Sequence, residues 1–281
     1  MRVLSEHACF GGVVGYYEHD AAATKSPMRF AVYQPPQARN GPVPVLFYLA
    51  GLTCTEETFM IKGGAQRLAA EHGLMLVAPD TSPRGLNLPG EDDDWDFGTG
   101  AGFYIDATRA PFAGSYALET WVADELRALV TTDFPGDDAR VGIFGHSMGG
   151  HGALTLSLKH PGRYQSVSAF APICAPTQCP WGEKAFTGYL GDDRAAWAAH
   201  DACALIRALP EGAPRPPLLV DQGLADGFLE VQLHPHLLEA ACADTAYPLT
   251  LRRHAGYDHG YFFISTFMAD HLEHHARTLC G

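Results

Sequence analysis

Residues 141–152 read Val141-Gly142-Ile143-Phe144-Gly145-His146-Ser147-Met148-Gly149-Gly150-His151-Gly152. The first part is apolar enough for a buried strand, and the run of glycines that follows suits a helix start pressed against its neighbours. Between them, Gly145 to Gly149 fits the pattern G-x-S-x-G. In that pattern small flanking residues let a serine occupy a strained strand-to-helix turn, with its hydroxyl exposed above the helix N-terminus. A Gly-Ser turn that only caps a helix is the alternative. The strand before Ser147 and the helix after it favour a nucleophile.

Elements of the same kinds repeat on either side. Alternating segments at 13–17 and 28–33 predict antiparallel strands, the second closed by Pro35-Pro36. Residues 43–49 are almost wholly apolar, as a strand covered on both faces requires, with Pro44 tolerated near its start. Helical spacing over 64–72, 116–130, 149–160 and 228–243 alternates with short apolar runs at 74–78, 140–144, 167–170, 218–221 and 249–253, and a last helix starts near Tyr261. Such alternation predicts an α/β architecture: a mainly parallel central sheet with helices on both faces and reactive residues on loops at the strands' carboxyl ends. With the serine elbow in place, this is the α/β-hydrolase fold, expected as one domain over residues 1–281. The irregular stretches 82–110 and 172–201 are expected to form the cap and pocket walls.

A serine hydroxyl is too weakly acidic to attack a carbonyl unaided, so it needs a base, and the base needs a carboxylate to fix its tautomer. In this fold the chain order is Ser, Asp or Glu, then His. Of the downstream histidines, His254 and His259 follow the last predicted strand. His259 lies between Gly256 and Gly260 in a segment suited to a tight loop and is the expected base, with His254 a strand-end residue. Three carboxylates compete for the third place. Asp258 adjoins the histidine and should point away from it, because neighbouring side chains in extended backbone diverge. Asp226, in the loop after the strand at 218–221, is preferred, with Asp221 in reserve.

The oxyanion that forms during acyl transfer needs two backbone donors, expected from Met148 and from Leu52 in the Gly51-Leu52-Thr53 loop. Cys54 should border the same pocket as a wall thiol, since a cysteine nucleophile would need its own histidine and a lowered pKa.

The formal net charge of -13 disfavours nucleic acid and anionic membranes as partners. The amino terminus shows no secretory leader pattern, and no run of apolar residues is long enough to span a bilayer, so a cytoplasmic protein is expected. Seven scattered cysteines fit free thiols in a reducing compartment, Cys174 and Cys179 included. His271, His274 and His275 have helical spacing that could hold a metal. Without a carboxylate at fixed spacing, a solvated helix face is the expected reading, and no metal is assigned.

Seven segments, in order, resemble the S-formylglutathione hydrolase (esterase D) family over nearly the whole chain. They are Gly51-Leu52-Thr53-Cys54-Thr55, residues 78–85 (Ala-Pro-Asp-Thr-Ser-Pro-Arg-Gly), Gly100-Ala101-Gly102-Phe103-Tyr104, residues 145–152, Pro180-Trp181-Gly182, Asp221-Gln222-Gly223 and Gly256-Tyr257-Asp258-His259. The resemblance implies a dimeric α/β-hydrolase without metal or cofactor that cleaves S-formylglutathione to formate and glutathione in formaldehyde detoxification. It places the family's triad on Ser147, Asp226 and His259 and its pocket cysteine on Cys54. Departures fall at Gly260, at Cys174 and around 118–121, and bear on acyl preference more than on mechanism. A general short-chain carboxylesterase is the neighbouring alternative, and a non-catalytic hydrolase-like module the more distant one. Formyl is the smallest acyl group, so the resemblance makes Trp181 and Phe103 candidates to crowd the acyl pocket, and glutathione carries two carboxylates, for which Arg84 and Lys62 are candidate partners.

Overall fold

The computed structural model describes residues 1–281. Nine strands form one sheet in the order β1-β2-β3-β5-β4-β6-β7-β8-β9. They are β1 (Arg2–Cys9), β2 (Gly12–Ala21), β3 (Ser26–Gln34), β4 (Val43–Leu49), β5 (Met75–Pro79), β6 (Gly136–His146), β7 (Ser166–Phe170), β8 (Leu218–Gly223) and β9 (Leu249–His254). The first three are antiparallel and β3 joins β5 antiparallel, whereas every pairing from β5 through β4, β6, β7 and β8 to β9 is parallel. Each predicted strand is present. The sequence patterning missed β1, whose residues are mostly exposed and therefore lack the alternation that marks a half-buried strand. All seven residues of β4 are buried. Pro44 sits where the β4–β6 register shifts, so its missing N–H costs the ladder little.

Helices cover both faces. On β7, Ser166 and Ser168 point to the C-terminal helix Tyr261–Leu279, so the intervening Val167 and Ala169, also buried, point to the other face. The helix Met148–Lys159 packs on β6 and β7. One continuous cluster of buried apolar side chains runs from Val14 to Leu279. No helix is long and apolar enough to cross a membrane.

Several helices differ from expectation for local reasons. The predicted helix at 116–130 is Leu118–Thr120, a π-helical segment Trp121–Leu126 and Arg127–Thr132, and the wide turns bury Trp121, Val122 and Ala123 together. The predicted helix at 228–243 is a π-helical turn, Leu229–Leu233, followed by Pro235–Thr245; Pro235 starts a new helix because it cannot donate within an existing one. The helix expected from residue 64 is Gln66–His72, since Gly64 has the left-handed φ of 69°. A short helix, Glu56–Lys62, precedes it. Residues 172–201, expected to be irregular, contain the helices Pro180–Leu190 and Arg194–Trp197.

The C-terminal histidines are the clearest correction. His271 and His275 are fully buried, not a solvated face. His271 Nε2 meets Asp221 Oδ2 at 3.3 Å, its Nδ1 meets Ser168 Oγ at 2.8 Å, Ser168 Oγ meets His275 Nε2 at 2.8 Å, and His275 Nδ1 meets Ser166 Oγ at 2.6 Å. Burial lowers the pKa of both imidazoles, so each is neutral with one N–H. A single direction satisfies every contact: His271 donates to the Asp221 carboxylate, Ser168 donates to His271, His275 donates to Ser168, and Ser166 donates to His275.

Asp221 is the charged end of this chain. Burial alone would raise its pKa, but hydrogen bonds from His271 and Arg252 outweigh burial and hold it well below the usual carboxylate range. Arg252 grips it with Nε at 2.6 Å and Nη2 at 2.5 Å. A depressed folded-state pKa contributes stability that is complete above the unfolded value of about 4 and is lost as pH falls toward the folded value. Arg252→Met should leave a buried carboxylate without its cation and cost about 3 kcal/mol near neutral pH. Urea melts should show the wild type losing stability as pH drops below about 4, and the variant losing less over that range.

Candidate active site

Ser147 follows β6 and precedes the helix Met148–Lys159, with φ 58° and ψ -118°. That backbone strain is held by neighbours: the Ser147 N–H donates to Phe170 O at 3.0 Å, and its carbonyl accepts from His151 N at 2.9 Å. The turn admits no side chain beside it. A Cβ on Gly149 would lie 1.9 Å from Leu49 O, and one on Gly145 would lie 2.2 Å from Gly149 O.

The loop after β8 carries Asp226 and the loop after β9 carries His259. His259 Nδ1 lies 2.5 Å from Asp226 Oδ2. Asp226 Oδ1 accepts the Phe228 N–H at 2.8 Å, and Oδ2 also accepts Gln222 Nε2 at 3.2 Å. Backbone bonds from Leu224 N to His254 O and from Ala225 N to Tyr257 O, both 2.9 Å, tie the two loops together. Of the three carboxylates weighed from sequence, Asp226 is the one that meets His259. Asp258 accepts the Gly260 N–H instead, and Asp221 is committed to Arg252 and His271. His254 stacks on Phe267 with ring centroids 3.8 Å apart and does not line the cavity that Ser147 lines.

Ser147 and His259 face a common cavity of about 260 Å³. No hydrogen bond joins the serine hydroxyl to the imidazole, a contact that in resting enzymes is often long and tightens when the acyl group is in place. The His259 ring lies between His146 and Phe228, at centroid distances of 4.4 and 4.9 Å. Leu52 lines the cavity and its N–H makes no hydrogen bond within the protein. Met148 occupies the first position of its helix, where an N–H has no intrahelical acceptor.

The cavity walls are mainly apolar. Trp181 lines it, held by its Nε1–H to Asp96 O at 2.6 Å and by its backbone N–H to Gln232 Oε1 at 3.1 Å. Phe103 does not line it: fully buried, it stands behind Trp181 with ring centroids 4.7 Å apart, so its placement in the pocket wall is corrected to the layer beneath. Cys54 lines the cavity, and burial raises its pKa, which keeps it a thiol at neutral pH. No lysine or arginine is among the lining residues. Arg84 is engaged by Asp80 at 2.6 and 2.8 Å, and Lys62 sits 5.9 Å from the ring centroid of the cavity-lining Tyr261. His146, Phe228, Gln222 and Tyr261 belong to this site and were not given roles from sequence. His146 occupies a position that G-x-S-x-G leaves open, and the others are recognisable only once loops distant in sequence have met.

The family model described as "Putative esterase" matches residues 21–274, and the parallel sheet, the strained serine turn and the imidazole-carboxylate pair place the chain in that esterase family of α/β-hydrolases. Its relatives narrow this further. The chain is 52% identical over 280 residues to the S-formylglutathione hydrolase of Mus musculus, covering 99% of each. It is 52% identical over 278 residues to that of Paracoccus denitrificans (strain Pd 1222), covering 99% of this chain and 98% of the other. The structure of an S-formylglutathione hydrolase from Agrobacterium tumefaciens superposes with a TM-score of 0.96 at 52% identity, covering 99% of this chain and all of that one. A ferulic acid esterase at 18% identity and TM-score 0.73 shares the fold. Within the esterases, the chain belongs to the S-formylglutathione hydrolase family.

Proposed function

We propose that the protein is a serine thioesterase that hydrolyses S-formylglutathione to formate and glutathione, acting in the cytoplasm in formaldehyde detoxification as a homodimer of single-domain chains. The observation that carries the reading is the Asp226–His259 pair opening onto the cavity that Ser147 also lines. Asp226 accepts the Nδ1 proton, so Nε2 is free to take the proton of Ser147 as its oxygen attacks the formyl carbon. The N–H groups of Leu52 and Met148 hold the oxyanion. The C–S bond then breaks, the departing glutathione sulfur takes up the proton held on His259, and the neutral imidazole activates a water that releases formate and restores the serine. Trp181 crowds the acyl end and so favours the smallest acyl group. With no cation in the wall, glutathione's carboxylates remain at the solvated mouth, near Lys62.

The test is a pair of kcat/KM values, for S-formylglutathione and for a simple aryl acetate ester. A preference of about a hundredfold or more for the thioester is expected, as a site shaped to one leaving group discriminates by a few kcal/mol. Equal or better ester hydrolysis would reduce the function to a general short-chain carboxylesterase.

A further inference from the structure

Gln222 is fully buried at the end of β8, four residues before Asp226. Its Nε2 donates to Asp226 Oδ2 at 3.2 Å and to Gly223 O at 3.0 Å, while its Oε1 has no partner. Both neighbours are acceptors only, so the amide cannot be reversed without setting oxygen against oxygen twice. An orphaned buried carbonyl is costly, and methionine would fill the same volume without one. A glutamine here therefore serves through its NH2 group.

That group spans the turn that delivers the carboxylate. One hydrogen bond fixes it to the backbone of Gly223 and the other reaches the same Asp226 oxygen that His259 uses. The turn has no slack, since a Cβ on Gly223 would lie 2.4 Å from Tyr257 O in the loop that bears His259. We infer that Gln222 is a positioning residue for the reaction: its amide braces the Asp226 carboxylate so that Oδ2 faces His259 Nδ1. The inference rests on the triad reading proposed above and adds to it a fourth member that touches neither substrate nor the reacting atoms.

The brace predicts a pH signature that a space-filling residue would not give. In Gln222→Glu the introduced carboxyl faces two acceptors, so it can restore one of the amide's two donations, and that only when protonated, and burial beside Asp226 raises its pKa. Its kcat/KM on an aryl acetate ester should be about a hundredfold below wild type near pH 8 and recover to within about tenfold near pH 6, giving a falling alkaline limb absent from the wild type. Gln222→Met should lose about tenfold to a hundredfold in kcat at every pH with KM little changed, and should shift the low-field NMR resonance of the His259 Nδ1 proton. In the wild type, the Gln222 side-chain amide protons should be protected from solvent exchange. A Gln222→Glu profile parallel to wild type, a Gln222→Met enzyme with wild-type kcat and imidazole resonance, or fast-exchanging Gln222 amide protons would each overturn the inference. Ser147→Ala run alongside separates the two readings: activity surviving there removes the triad itself, whereas its loss with an indifferent Gln222 removes only the brace.

Discussion

Ser147→Ala is expected to lower kcat for S-formylglutathione by about 10⁵-fold or more, because deleting the nucleophile of a cooperating triad costs nearly as much as deleting all of it. The fold should not notice. Alanine fits the space, and the bonds that hold the turn, from Ser147 N to Phe170 O and from His151 N to the Ser147 carbonyl, are backbone bonds the variant keeps. A burst experiment with an aryl acetate ester checks the same point, since an acyl-enzyme needs an oxygen to carry it. A normal burst of product in Ser147→Ala would sink the assignment.

Asp226→Asn should be the next most damaging change, at about 10⁴-fold in kcat, although it alters one atom. The Phe228 N–H and the Gln222 Nε2–H would both seek the one remaining amide oxygen, and where Phe228 holds it in the place of Oδ1 the NH2 turns toward His259 Nδ1. The imidazole would then have to accept at Nδ1 and carry its proton on Nε2, the tautomer that cannot take a proton from serine. The melting temperature should move by only a few degrees. Activity within tenfold of wild type would show that another carboxylate orients the base.

The parts of this protein that could be read from sequence are those whose chemistry is local. The elbow announces itself because one strained turn needs glycines on both sides, and β4 does so because a strand covered on both faces is apolar at every position. His259 and Asp226 follow from the order of loops. What stayed hidden depends on partners far away in the chain. The last helix carries histidines at a spacing that also suits a wet surface, and only the serines of β7 make those positions buried. Phe103 and Trp181 look alike as bulky aromatics, but the edge-on stacking of one behind the other decides which faces the cavity. Gln222 sits in a recognisable motif, yet its role appears only when its amide and His259 are found on the same oxygen.

The run of polar contacts from Asp221 through His271, Ser168 and His275 to Ser166 also governs the order in which the molecule can be finished during synthesis. Strands β7 and β8 leave the ribosome well before the helix Tyr261–Leu279. Until that helix arrives, two serine hydroxyls lack their imidazole partners and a buried carboxylate lacks one of its three neighbouring donors, on a sheet face not yet shielded from water. The nascent chain therefore carries a hydrated, incompletely packed sheet face until the helix Tyr261–Leu279 docks and seals it.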